Sequence, residues 1–262
     1  MAGILEGKTA IVTGASRGLG RGMAGALARA GADLVITSRT REALDGTCRE
    51  IEALGHRALP VVADVTIEED LRALAQSAVD EFGKVDILVN NAGCNIRKPA
   101  LELTWEDWDT VLDANLKGMF FCSQAVAPHM IAQKKGKIIN IGSAACVFAY
   151  PHITAYCASR GGVLQLTKSL AAEWGPLGIN VNVLAPGWFR TQQTRALYED
   201  QGWVDHILER IPLGKIGEAP DLNGAVVFLA SDASDYMTGQ LMLIDGGFTV
   251  GTARASSGRK AE

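Results

Sequence analysis

The chain has 262 residues, of which 48% are hydrophobic and 21% charged, as is typical of a globular protein with a sizeable core. Its 25 basic and 29 acidic residues give a net charge of -4, and no block of lysine and arginine could follow a nucleic-acid backbone. No run approaches the roughly 18 apolar residues that are needed to cross a bilayer. We therefore expect neither a nucleic acid nor a membrane as a partner.

The cysteines and the two ends of the chain indicate a cytoplasmic protein with one domain. Five cysteines show neither the C-x-x-C spacing of a zinc site nor a disulfide framework: Cys48, Cys94, Cys122, Cys146 and Cys157. They suit a reducing compartment, and the N-terminal segment lacks a signal-peptide core because Glu6 and Lys8 interrupt its apolar residues. We expect one domain over residues 1–250 and a disordered tail over residues 251–262, where the sequence is small, polar and basic.

Seven short apolar segments have the composition of buried strands. In chain order they are "TAIVTG", "DLVITS", "ALPVVADV", "VDILVNNAG", "GKIINIGS", "GINVNVLAPG" and "GQLMLIDGG", and helical patterns separate the first six. Strands that are apolar on both faces predict a parallel sheet covered by helices on either side. The predicted fold class is therefore α/β, a doubly wound, Rossmann-like three-layer sandwich around a parallel seven-stranded sheet.

Two helix starts carry the signature of a capping box. Thr66 precedes Glu69 in "TIEE", and Thr104 precedes Asp107 in "TWED", so each threonine is predicted to cap a helix. In a doubly wound sheet, ligands bind beyond the carboxyl ends of the strands. The functional motifs are therefore expected directly after the strands.

The first such motif is the turn "TGASRGLG", which places Gly14, Gly18 and Gly20 between the first strand and the first helix. Glycines there let the backbone approach a pyrophosphate, and the N-terminus of the helix offers free N–H groups to it. A tight turn without a ligand uses glycines in the same way. The turn alone leaves both interpretations open.

Polar motifs follow the later strands as well. They are "ADV" at residues 64–65, "NNAG" at residues 90–93, Asn115 in "ANLKG", Ser143 in "NIGS", Tyr156 in "YCASR" and "PGWFRT" at residues 186–191. In this order and at these spacings, the motifs resemble the short-chain dehydrogenase/reductase family over about residues 7–247. The resemblance implies an enzyme that interconverts a ketone and a secondary alcohol with a nicotinamide cofactor.

The resemblance also implies roles for the matching positions. The cofactor contacts would come from the glycine turn, from the ends of the third and fourth strands and from the last motif. These residues are Gly14, Ser16, Gly18, Leu19, Gly20, Asp64, Val65, Asn91, Ala92, Gly93, Pro186, Gly187 and Thr191. Tyr156 would be the general acid or base, Ser143 would bind the substrate oxygen, and Asn115 would hold a water of the proton relay. Without the tyrosine, Ser143 would be interpreted as a strand-end cap and Asn115 as a helix kink.

The cation next to the catalytic tyrosine departs from the family pattern. A free tyrosine, with a pKa near 10, is a poor acid or base at neutrality, and a cation four residues along a helix shares its face and favours the phenolate. The family uses a lysine that also contacts the nicotinamide ribose and passes protons to water, whereas this chain has Arg160. Arginine supplies charge and donors but does not readily release a proton. Two hypotheses remain: a slower reductase with a water relay, or a cofactor-binding scaffold or regulatory protein without useful turnover.

The residues at the end of the second strand predict which nicotinamide cofactor is bound. An acidic residue there accepts from a ribose 2′-hydroxyl and repels a 2′-phosphate. This chain has Ser38 at that position, Arg39 beside it and Arg17 in the glycine turn, which together favour NADP(H) over NAD(H). The alternative is that both arginines are solvated surface residues.

The substrate is predicted less closely. The sequences of the "NNAGCNIRKP" and "DWDTVLDANLKGMFF" segments resemble the gluconate 5-dehydrogenase branch of the family, which suggests a sugar acid or a cyclic ketone as the substrate. Four cations could bind a carboxylate, or could be solvated or paired: Arg97, Lys98, Arg190 and Arg195. An aromatic segment after the sixth strand is a possible lid, with Trp188, Phe189, Tyr198 and Trp203.

The sequence also gives expectations about metal binding and about oligomeric assembly. The four histidines are scattered without metal-ligand spacing, so no metal is expected: His56, His129, His152 and His206. The helices predicted in "WDTVLDANLKGMFFCSQAVAPHM" and "AYCASRGGVLQLTKSLAAEW" are apolar around more of their circumference than one core face requires. The family resemblance makes them an oligomer interface, most often in a homotetramer.

Overall fold

The computed structural model describes residues 3–192 and 194–251 of the chain. In this part, seven strands form one parallel sheet in the order β3-β2-β1-β4-β5-β6-β7. The strands are β1 Thr9–Thr13, β2 Asp33–Ser38, β3 Ala58–Val62, β4 Ile87–Asn90, β5 Gly136–Ile141, β6 Ile179–Pro186 and β7 Leu241–Ile244. The predicted α/β class and the seven-stranded parallel sheet are confirmed.

The described ranges contain eight α-helices. They are α1 Gly18–Arg29, α2 Asp45–Glu52, α3 Glu68–Phe82, α4 Trp105–Leu112, α5 Gly118–Gln133, α6 Thr154–Trp174, α7 Gln201–Arg210 and α8 Asn223–Ala230. A wide π-helical turn, Asp113–Lys117, joins α4 to α5. The predicted tail lies outside the described residues beyond Gly251, and the single-domain boundary stays a prediction.

The period of two along each strand divides the core into two layers. In β1, Ala10 and Val12 pack with residues of α1, α2 and α8, whereas Ile11 packs with residues of α3, α5 and α6. All three side chains are fully buried, and each large aliphatic side chain buried in this way stabilises the fold by about 1.5 to 3 kcal/mol. Strands that are apolar on both faces therefore require helices on both faces, which gives the three layers.

The order of the strands reverses at β1, which pairs with β2 on one side and β4 on the other. Crossovers leave this point in opposite directions, so a crevice opens at the carboxyl ends of β1 and β4. Asn91, directly after β4, closes the base of this crevice, since its Nδ2 donates to the carbonyl oxygens of Thr13 and Gly14 at 2.9 and 3.1 Å. The fold thus brings the glycine turn and the "NNAG" motif together.

One of the two predicted helix caps is confirmed and the other is wrong. Thr104 and Asp107 form the capping box of α4, with N–H···O distances of 3.1 Å in both directions. Helix α3 instead begins at Glu68 without a side-chain cap, and Thr66 donates from its N–H and hydroxyl to Oδ1 of Asp64. The nearby aspartate forms a local turn that competes with the capping geometry.

Candidate active site

A cleft of about 1270 Å³ opens at the carboxyl ends of the strands. All but one of the predicted site residues line it: Gly14, Ser16, Arg17, Gly18, Leu19, Gly20, Ser38, Arg39, Asp64, Val65, Asn91, Ala92, Gly93, Ser143, Tyr156, Arg160, Pro186, Gly187 and Thr191. The exception is Asn115, which is fully buried behind the wall of the cleft. Motifs spread over most of the chain therefore meet in one place, because most of them directly follow a parallel strand and α6 brings Tyr156 and Arg160 to the same edge.

The glycine turn has one side packed against protein and one side open. Gly14 has a φ of 64°, and a Cβ there would stand 2.9 Å from Cα of Ala92. Gly18 has a φ of 56°, but a Cβ there would meet only Thr191, at 3.9 Å. Helix α1 starts at Gly18 with no acidic residue in its first turn, and its N-cap residue, Arg17, makes no side-chain capping bond. The positive end of the helix therefore faces the cleft without a protein anion, as a phosphate site requires.

Two cations lie at the β2 end of the cleft. Arg17 and Arg39 are exposed, line the cleft and take part in none of the ion pairs that the described residues form. Ser38, the last residue of β2, donates its hydroxyl proton to the carbonyl oxygen of Thr40 at 2.7 Å. The carboxylate of Asp64, after β3, is engaged by Thr66. This end of the cleft thus presents two unpaired guanidinium groups to a ligand.

The side chain of Asn115 is committed to its protein neighbours. Its Oδ1 accepts from the N–H of Cys94 at 2.8 Å, and its Nδ2 donates to the carbonyl oxygen of Cys94 at 2.9 Å and to Oγ of Ser159 at 3.1 Å. Asn115 lies in the π-helical turn between α4 and α5, which agrees with its interpretation as a helix irregularity. The asparagine therefore fixes the backbone that follows the "NNAG" motif and ties it to α6.

Ser143 and Tyr156 both present hydroxyl groups to the cleft. Ser143 caps the short turn Ala144–Cys146, where its Oγ accepts from the N–H of Ala145 at 3.1 Å. Among the described residues no acceptor takes the hydroxyl proton of Ser143, and none bonds the hydroxyl of Tyr156. Both groups are therefore free to bond an oxygen atom of a ligand.

Arg160 lies one helical turn after Tyr156 on α6 and is 5% exposed. Its Cζ is 4.8 Å from the centroid of the Tyr156 ring, and its Nη1 donates to the carbonyl oxygen of Ile141 at 2.8 Å. Its Nε is buried and has no hydrogen-bond partner in the described part of the chain. The arginine thus stacks on the tyrosine and joins α6 to the end of β5.

The predicted lid segment is packed rather than open. Phe189 is 4% exposed, and the Trp188 and Trp203 rings meet edge to face with centroids 4.9 Å apart. Trp203 also contacts Tyr198, whose hydroxyl donates to the carbonyl oxygen of Phe189 and whose pKa burial raises to about 12. The Trp188 ring packs on Tyr150, so the segment and α7 form one aromatic cluster with the loop that precedes α6.

None of the four cations that were candidates for a substrate carboxylate lines the cleft. Lys98 pairs with Asp107 at 2.5 Å and holds the pKa of that carboxyl below its ordinary value, and Arg195 pairs with Glu199 at 3.6 Å. Arg190 stacks over Tyr198 at 5.0 Å. Arg97 is exposed and forms no ion pair with a described residue.

The sequence predictions missed part of the cleft wall. Cys94, Asn95, Glu106, Asp109, Thr110 and Asp113 also line it. The three acidic residues recur at i, i+3 and i+7, so helical periodicity would have placed them on one face of α4 and of the turn that continues it. No group of three His, Cys, Asp or Glu side chains within residues 3–192 and 194–251 is arranged to hold a metal ion. Among the same residues, no helix is both long and apolar enough to span a membrane.

Comparisons with known proteins agree with this architecture. A family model described as enoyl-(acyl carrier protein) reductase matches residues 14–249. The chain is similar to gluconate 5-dehydrogenase of Gluconobacter oxydans (strain 621H), with 43% identity over 94% of this chain and 96% of the relative. It is 46% identical to 2-dehydro-3-deoxy-D-gluconate 5-dehydrogenase of Escherichia coli (strain K12), over 93% of this chain and 96% of that one.

A solved structure is similar over the same range. It is the crystal structure of a gluconate 5-dehydrogenase from Burkholderia cenocepacia J2315 in complex with NADP and tartrate. The TM-score is 0.91 at 42% sequence identity, and the match covers 94% of this chain and 96% of that chain. The chain therefore resembles this solved structure in both sequence and fold over nearly its whole length.

Proposed function

This chain belongs to the short-chain dehydrogenase/reductase family of oxidoreductases, and on that premise we propose that it interconverts a ketone and a secondary alcohol with NADP(H). The observation that carries the proposal is the shared cleft, in which Ser143 and Tyr156 meet the glycine turn that starts α1. The resemblance stated from the motifs is thereby confirmed at the level of the family. The roles of the individual residues and the substrate are proposals.

The residues of the cleft fit the cofactor. The open side of Gly18 and the uncapped start of α1 suit a pyrophosphate, because backbone N–H groups and the helix dipole both favour an anion there. When bound, the nicotinamide supplies or accepts the hydride. The remaining parts of the proposed mechanism belong to side chains of this chain and to water.

In the proposed mechanism two hydroxyl groups share the reacting oxygen. Ser143 donates its free proton to that oxygen, and Tyr156 gives a proton to it in reduction or takes one in oxidation. The permanent charge of Arg160, held against the face of the tyrosine ring, favours negative charge nearby. Because arginine does not readily lose its proton, water completes the relay.

The choice of NADP(H) rests on the β2 end of the cleft. Arg17 and Arg39 have no carboxylate partner there, and Ser38 stands where a ribose-binding carboxylate would repel a 2′-phosphate. The similar crystal structure from Burkholderia cenocepacia contains NADP. Both observations support the 2′-phosphorylated cofactor.

The proposed substrate is a sugar acid or the ketone derived from it. Support comes from the relatives, which are named gluconate 5-dehydrogenase and 2-dehydro-3-deoxy-D-gluconate 5-dehydrogenase. Of the four candidate cations, Arg97 is the one left without an ionic or stacking partner among the described residues, so no such contact has to break before it binds a carboxylate.

The test is a screen of reduction and oxidation with both cofactors. Purified protein is offered sugar acids, keto-acids derived from them and cyclic ketones, and the change in NADPH absorbance is followed. We expect turnover with a sugar-acid pair and NADP(H). Turnover confined to cyclic ketones would contradict the substrate class.

A second candidate function is a cofactor-binding scaffold or regulatory protein. The observation that favours it is Arg160, whose side chain is fixed by Ile141 and lacks the proton-releasing amine of the family's lysine. Tight NADPH binding without turnover of any compound in the screen would establish this alternative.

We further propose a cytoplasmic homotetramer. The start of α4 and the turn before it expose large apolar side chains, with Leu101 102% and Trp105 87% exposed. Exposed side chains of this size suit contact with a second copy of the chain. Analytical ultracentrifugation measures the assembly, and a monomer at micromolar concentration would contradict it.

A further inference from the structure

Arg160 is a buried charge without an ion-pair partner among the described residues. The residue is 5% exposed, and it takes part in none of the ion pairs formed by the described residues. Its Nη1 donates to the neutral carbonyl of Ile141, while its Nε is buried without an acceptor within residues 3–192 and 194–251. A guanidinium removed from water in this way destabilises the protein unless an anion reaches it.

The groups packed against the guanidinium at Gly93 and in the nearby cysteines are neutral. A Cβ on Gly93 would stand 2.9 Å from Nη2 of Arg160 and 2.7 Å from Oδ1 of Asn115, so these two groups pack on the same glycine. That Oδ1 already accepts from the N–H of Cys94. Burial raises the pKa of the Cys94 and Cys146 thiols against the opposing effect of Arg160, so both thiols are protonated at neutral pH. Within residues 3–192 and 194–251, no carboxylate forms an ion pair with Arg160.

The free side of the guanidinium has the geometry that a carboxylate uses. Ile141 occupies Nη1, and neither Nε nor Nη2 donates to another described residue. Nε and Nη2 point in parallel from one edge of the planar group, and a carboxylate accepts from such an edge with both oxygens. Arg160 lines the cleft together with Tyr156, so a ligand in the cleft reaches the residue from that side, and a shift of the side chain brings the buried Nε within its reach.

We propose that Arg160 is a carboxylate-binding site beside Tyr156, which takes a monocarboxylate in the cofactor-free protein. The assignment rests on the surroundings of Arg160 and does not depend on the proposed reaction. The carboxylate comes either from a small free acid or from the end of a sugar acid, and the chemistry at Arg160 is the same for both. Small carboxylates then occupy the catalytic end of the cleft and oppose ligand binding there.

Thermal unfolding of the cofactor-free protein tests the site. Formate is titrated at constant ionic strength against the parent, Arg160→Gln and Arg39→Gln. Formate at ten times its dissociation constant should raise the Tm of the parent by about 3 to 6 °C, because it binds only the folded state. Arg160→Gln should show no rise, although glutamine can still donate to Ile141, whereas the exposed Arg39→Gln control should respond like the parent. The site is refuted by an equal rise in Arg160→Gln, or by no rise in the parent up to molar formate.

If Arg160→Gln does not fold, a protein with both Arg17→Gln and Arg39→Gln tests the site instead. It keeps Arg160 and removes the two exposed cations of the cleft that could also bind formate. Its Tm should rise with formate and not with the uncharged formamide, and equal responses to both compounds would overturn the proposal. A comparison of gluconate with glucitol, which lacks the carboxylate, shows whether the carboxylate that binds Arg160 belongs to a sugar acid or to a small free acid. A larger rise with gluconate than with formate, absent with glucitol, assigns the site to a sugar acid, whereas an equal or smaller rise assigns it to small free acids.

Discussion

Arg160 donates from Nη1 to the carbonyl oxygen of Ile141, the last residue of β5, over 2.8 Å. Ser143 follows Ile141 by two residues, and Tyr156 precedes Arg160 by one turn of α6. The bond therefore fixes the helix that carries the tyrosine against the strand end that carries the serine. The bond thus adds to the packing of α6 in setting the distance between two hydroxyl groups that we propose to act on the same oxygen atom.

Replacing Arg160 with lysine tests whether proton delivery limits the reaction. Lysine keeps the charge and a donor for Ile141 but can release a proton, so kcat should rise by about tenfold with little change in NADPH affinity. The pH profile of kcat should change as well, since lysine titrates within reach of the assay and arginine does not. Steady-state kinetics of both proteins between about pH 6 and pH 10 measure the effect. A lysine variant that is no faster at any pH would mean that the site is built around arginine.

Replacing Tyr156 with phenylalanine should abolish turnover and leave NADPH affinity within a few-fold of the parent. Positioned proton transfer contributes about 100- to 10,000-fold in rate, and no other tyrosine lies in the described wall of the cleft. The ring that stacks with Arg160 is kept, so the local packing should survive. Retention of more than about a tenth of the rate would place the proton donor elsewhere.

Replacing Ser38 with aspartate should move the cofactor preference from NADPH toward NADH. The parent should bind NADPH at least about tenfold more tightly, since a charge-assisted contact to the 2′-phosphate contributes about 1.5 to 3 kcal/mol. A carboxylate at the end of β2 would repel that phosphate and accept from a ribose hydroxyl. Tryptophan fluorescence titrations of both proteins give the affinities, and Ser38→Asn is the uncharged control. Equal affinity of the parent for the two cofactors would contradict the prediction.

Replacing Gly93 with alanine should disturb the catalytic end of the cleft. The new Cβ would meet Oδ1 of Asn115 at 2.7 Å and Nη2 of Arg160 at 2.9 Å, and such overpacking costs about 1 to 3 kcal/mol. Gly161→Ala is the matched control, because a Cβ there meets nothing within 4 Å and alanine favours the helix by about 0.5 to 1 kcal/mol. Urea denaturation should show opposite signs for the two variants. Equal stability of both would mean that Asn115 and Arg160 move aside freely.

Replacing Asn115 with alanine separates a structural role from a relay role. The variant leaves the half-buried N–H and carbonyl groups of Cys94 without these partners, which costs about 1 to 3 kcal/mol of unfolding free energy. Ser159→Ala removes one of the three bonds and should cost less. Urea denaturation compares the two proteins. A stable Asn115→Ala variant with normal cofactor binding and greatly reduced kcat would favour the relay role instead.

Local sequence patterns determined the sheet and the position of the cleft. Residues such as Ala10, Ile11 and Val12 are apolar in succession, and only a strand with helices on both of its faces buries all three. The turn from Gly14 to Gly20 follows such a strand directly, so its place at the carboxyl edge needed no knowledge of distant contacts. The cap at Thr104 was predictable for the same reason, since both of its partners lie within four residues.

The tertiary structure alone decided which partner each of several polar side chains bonds. Thr66 had the spacing of a helix cap, but it bonds Asp64 instead. Asn115 is bound to Cys94, which is far away in the chain, and Lys98 is paired with Asp107 in the folded protein. The sequence placed an arginine next to Tyr156, but it did not determine where the guanidinium points. That direction follows from the carbonyl of Ile141 at the end of β5, because an acceptor that the packed elements bring within reach stabilises a buried donor.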